Sequence, residues 1–93
     1  MSWEEGDLHG RHVSAAALAR TAITWTPERP HGQVRIRDYT CECRPVVYEL
    51  CQSGGVTFIR KMTRKGKEAT IEEYITRSGV EVHTVWRRLL DLA

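Results

Sequence analysis

Arg64-Lys65-Gly66-Lys67-Glu68-Ala69-Thr70-Ile71-Glu72-Glu73-Tyr74-Ile75-Thr76 can be built with either of two periods, and the two builds give different proteins. With helical spacing, Thr70-x-x-Glu73 forms a capping box and Ile71, Tyr74 and Ile75 share one side. With a period of two, Gly66 turns the chain and residues 70–76 run back beside residues 57–63, setting glutamates opposite lysine and arginine. The first build gives a pair of helices. The second adds a strand to an antiparallel sheet.

The sheet is established immediately upstream. Val46-Val47-Tyr48-Glu49-Leu50-Cys51 and Val56-Thr57-Phe58-Ile59-Arg60-Lys61 are rich in β-branched and aromatic residues and flank Gln52-Ser53-Gly54-Gly55, which reads as a hairpin. With Gly54 and Gly55 at the centre of a primed turn, Ser53 faces Val56, Cys51 faces Phe58, Leu50 faces Ile59 and Glu49 faces Arg60. Moving the turn back by one residue would set Glu49 against Phe58, so the Gly-Gly register is the one expected. Residues 33–40 alternate, with Val34 and Ile36 on one side and Arg35 and Arg37 on the other, which predicts a half-buried strand.

Downstream, Val82, Val85, Trp86, Leu89 and Leu90 form the apolar stripe of an amphipathic C-terminal helix. Near the start, Ser14 can cap a short helix through the alanines of residues 15–20, ending near Ala22. Residues 26–32 hold Pro27, Pro30 and Gly32 and predict an extended connector. Residues 1–12 lack periodicity and are expected to form a mobile tail, leaving residues 13–93 as one domain. A chain of 93 residues, 41% hydrophobic and 28% charged, suffices for one small core. The expected fold class is α+β: an antiparallel three- to four-stranded meander with a C-terminal helix and a short N-terminal helix.

Two resemblances bear on the ambiguous segment. Residues 70–89, with Gly79 as turn glycine and Thr84-Val85-Trp86-Arg87-Arg88-Leu89 as recognition helix, look like a helix-turn-helix, which implies DNA binding in the major groove. A longer stretch resembles short uncharacterised actinobacterial proteins: Cys41-Glu42-Cys43-Arg44-Pro45, Tyr48-Glu49-Leu50-Cys51, Gly54-Gly55, Phe58-Ile59-Arg60 and Trp86-Arg87-Arg88-Leu89-Leu90. That resemblance supplies no catalytic residue. It implies a further strand and one terminal helix after the hairpin, which favours the meander over the helix-turn-helix and leaves both builds of residues 69–76 open.

Composition excludes several classes of function. No run approaches the roughly 20 apolar residues of a membrane helix, and the acidic start lacks the features of a secretion signal, so a cytoplasmic protein without membrane contact is expected. No nucleophile, phosphate loop or spaced carboxylate pair has a recognisable context, so no enzymatic activity is expected. Cys41, Cys43 and Cys51 with His31 could supply a tetrahedral Cys-Cys-Cys-His zinc set; the alternatives are buried thiols acting as small hydrophobes or a redox pair. Arg60, Lys61, Arg64, Lys65 and Lys67 concentrate basic charge in eight positions, which Arg87 and Arg88 could extend toward nucleic acid phosphates, with Tyr39 or Tyr48 stacking on bases. The expected function is therefore that of a small regulatory binding protein for nucleic acid. The second reading is a protein-interaction adaptor or inhibitor using a sheet edge or the Trp86 helix, and a homodimer fits either.

Overall fold

The computed structural model describes residues 12–21, 23–41 and 44–90. Except for His12, the tail expected over residues 1–12 lies outside them. In chain order the elements are α1 (Ala15–Arg20), β1 (Thr26–Pro27), β2 (Arg35–Tyr39), β3 (Val46–Ser53), β4 (Val56–Lys65), β5 (Glu68–Ile75) and α2 (Gly79–Leu89). The fold is α+β, with one antiparallel sheet in the order β1-β5-β4-β3-β2.

The sheet has five strands where three or four were expected. The additional strand is β1, the two-residue start of the proline connector, which pairs Thr26 with Glu73 and Pro27 with Glu72. Pro27 is tolerated because β1 is an edge, where a missing N–H removes no ladder bond.

Glu68–Ile75 is a strand, which overturns the helix-turn-helix. Its register against β4 sets Ile71 beside Met62, Glu72 beside Lys61, Glu73 beside Arg60 and Tyr74 beside Ile59. Each cross-strand pair is apolar with apolar or acid with base, and the segment's β-branched and aromatic residues suit a pleated surface. Gly79 is the first residue of α2, whose Ser78 cap accepts a bond from the Glu81 amide at 3.2 Å. The two hairpins turn on Gly54 (φ +61°) and Gly66 (φ +65°), each at the first central position, where the primed turns of tight hairpins need a positive φ.

One face of the sheet receives α2. Tyr48, Leu50 and Ile59 pack with Val82, Val85, Trp86, Leu89 and Leu90, and Trp25 and Tyr74 extend this core. Gly79 abuts Thr57 of β4 and the indole of Trp86 donates to Asp38 of β2 at 3.0 Å, so α2 crosses the sheet obliquely. No helix among the described residues is long and apolar enough to cross a membrane.

Candidate nucleic-acid interface

The face away from α2 is built by the alternate residues of each strand. Pairing aligns Cys51, Phe58 and Ile75 in one row, Tyr39, Glu49, Arg60 and Glu73 in the next, and Val47, Met62 and Ile71 beyond. Because β1 and β2 occupy opposite edges, residues 28–34 must cross the sheet, and they do so over this face. The ring of His31 lies on Phe58, with centroids 4.1 Å apart and planes 10° from parallel.

The crossing segment encloses charge. Arg60 Nε is 2.8 Å from Glu28 Oε2, and Arg60 Nη1 donates to Glu49 Oε1 at 3.2 Å. His31 Nε2 lies 2.7 Å from Glu73 Oε1, which also accepts from the Arg29 amide at 3.4 Å, while Arg29 Nε stands 3.9 Å from Oε2. The Glu73 side chain is fully buried; its hydrogen bonds among the described residues fall on Oε1, and Oε2 accepts none. Burial opposes the charge on Arg60, but Cys51, Glu28 and Glu49 outweigh it and the guanidinium pKa moves up.

Burial pushes the Cys51 thiol up to about 11, with Arg60 lowering it and Glu49 and Glu28 raising it. Its thiolate is then only about a thousandth of the population at pH 8. Alkylation followed by mass spectrometry is expected to leave Cys51 unmodified in the native protein and to label it on unfolding. Labelling of Cys51 in the native fold at the rate of a free thiol would contradict its placement.

The basic run does not form one surface. Successive strand residues point to opposite faces, and Arg60 is held inside the enclosed cluster. Lys61 projects to the other side, 5.2 Å from the Trp25 ring centroid and 3.8 Å from Glu72. Arg64 and Lys65 at the end of β4 and Lys67 in the β4–β5 turn are exposed, with Arg64 on the face away from α2 and Lys65 on the other, while Arg87 and Arg88 are exposed on α2, across the sheet from Arg64. Trp86 is buried in the core, which removes it as a docking residue. Tyr48 is buried too, whereas Tyr39 is 63% exposed on the edge strand β2.

The proposed zinc ligands are not drawn together. His31 is turned to Phe58 and Glu73, Cys51 sits at the centre of the enclosed face, and Cys41 lines a separate depression with Val13, Leu18 and Arg44. Cys43 lies outside the described residues, and among those described no group of three His, Cys, Asp or Glu could hold a metal.

Charge is thus sorted by depth. Among the described residues, Glu28, Glu49, Glu72 and Glu73 are ion-paired on the sheet, leaving Glu68 and Glu81 as the exposed carboxylates. The exposed cations are more numerous: Arg29, Arg35, Arg37 and Arg44, the three around the β4–β5 turn, and Arg77, Arg87 and Arg88. Compared with known protein families, curated proteins and solved structures, the chain matches none.

Proposed function

We propose that this chain is a small, non-enzymatic regulatory domain of the cytoplasm that binds nucleic acid, with Arg64, Lys65 and Lys67 as the primary phosphate contacts. The observation that carries this reading is the sorting of charge: Glu49, Glu72 and Glu73 of the sheet are ion-paired, while Arg64, Lys65 and Lys67 are exposed around the β4–β5 turn, with Glu68 as the exposed carboxylate beside them. The two-residue turn on Gly66 keeps the three within four consecutive positions at one end of the sheet, where phosphates of a backbone carrying a charge on every nucleotide can reach them. Arg60 and Lys61 serve the fold in this reading, and Arg87 and Arg88 make at most a secondary contact from the other side of the sheet.

The test is the affinity of a fluorescein-labelled 20-nucleotide mixed sequence, measured by anisotropy in about 50 mM salt. Arg64→Ala, Lys65→Ala and Lys67→Ala combined are expected to weaken binding by at least about tenfold, since each lost phosphate contact removes released counterions. Equal affinity in wild type and triple variant would reject the assignment.

The exposed β2 edge favours a second reading, a protein-interaction module. Ile36 is 50% exposed beside Tyr39 on a terminal strand whose outer backbone groups are unpaired in the sheet. Binding to a protein partner with no retention of nucleic acid in low salt would support it.

A further inference from the structure

We infer that the nucleic acid is single-stranded and lies on the open part of the sheet face away from α2, with Tyr39 stacking on a base and Arg64 meeting the phosphates. This rests on the reading proposed above and specifies it. Beyond the crossing segment that face offers Met62 and Ile71, both partly exposed, and a shallow depression of about 220 Å³ lined by Val47, Met62, Arg64 and Ala69. Both carboxylates that its strands contribute, Glu49 and Glu73, are buried and paired, so the exposed charge on this face is cationic. An apolar patch with an exposed tyrosine toward one end and Arg64 at the other is complementary to a strand with free bases and a charged backbone. Duplex DNA hides those base faces and would meet only the cations.

Tyr39 is held ready for this role. Its amide donates to Asp38 Oδ1 at 2.9 Å, and the other Asp38 oxygen is fixed by the Trp86 indole at 3.0 Å, so the core sets the strand carrying the ring. Tyr39 is level with Glu49 and Arg60, while Arg64 lies four residues further along β4 and two strands across. That spacing is on the order of 16 Å, enough for a few nucleotides of an extended strand. Arg37, at the β2 bulge between the Ile36 and Asp38 pairings, is an exposed cation two residues before Tyr39.

The experiment compares labelled oligothymidylate of 12 nucleotides with a 12-base-pair duplex, using wild type, Tyr39→Ala and Tyr39→Phe. The single strand is expected to bind at least about tenfold tighter than the duplex, Tyr39→Ala to lose about five- to a hundredfold of that affinity, and Tyr39→Phe to retain it. Because Tyr39 is exposed, both variants should melt like wild type. Equal binding of the two oligonucleotides with no effect of Tyr39→Ala overturns the single-strand assignment and leaves the phosphate contacts of the β4–β5 turn standing. Absence of binding to either, at low salt, overturns both.

Discussion

Phe58→Ala is expected to destabilise the domain by about 3–5 kcal/mol, the range for removing a large aromatic from a packed interior. Phe58 has no exposed surface, lies between Cys51 and Ile75 on the sheet, and is covered by the His31 ring. Truncation empties the floor on which the crossing segment rests, so a cavity opens and the His31 contact is lost together. Domains of this size have only about 5–15 kcal/mol in total, so urea unfolding should show a midpoint far below that of wild type. A loss under about 1 kcal/mol, as at an exposed position, would mean that residues 28–34 do not cover this face.

Arg60→Met is expected to cost about 3 kcal/mol, for a different reason. Its guanidinium bridges Glu28 and Glu49, with all three side chains no more than about a quarter exposed. Methionine preserves much of the volume but leaves two carboxylates without their counter-charge, the costly way to break a buried pair. The partial exposure of Glu28 admits some water and places the effect at the low end of the 3–5 kcal/mol range for such losses. Combining Arg60→Met with Glu49→Gln should therefore cost less than the sum of the two changes, because the second removes the charge the first has stranded. Strict additivity in urea unfolding would show that the guanidinium and carboxylate do not act as a pair.

The hairpin was fully legible in the sequence. The pairings of Glu49 with Arg60, Leu50 with Ile59 and Cys51 with Phe58 follow from two glycines and side-chain compatibility, and all three are formed. The stripe of α2 was equally plain, since Val82, Val85, Trp86 and Leu89 need one apolar partner surface whatever the topology. The segment at 68–75 satisfied two periods, and only the complementarity of its residues to β4 separates them. The enclosed cluster was not legible: His31 and Glu73 are 42 positions apart, and their contact depends on β1 docking against β5. The division of the basic run follows from strand alternation once β4 is carried through to Lys65, well past the apolar residues that signal it. Tyr39 and Tyr48 look alike locally; one lies on an edge strand and the other under α2, a distinction that only the strand order makes.

The dependence of nucleic-acid affinity on salt, compared between wild type and the Arg64→Ala, Lys65→Ala, Lys67→Ala protein, reads the exposed charge most directly. Three phosphate contacts on a single strand predict a slope of log K against log salt of about −2 or steeper, and the triple variant should bring it about two units closer to zero. A slope identical in the two proteins, or no binding by wild type at low salt, would contradict the view that this turn meets a polyanion.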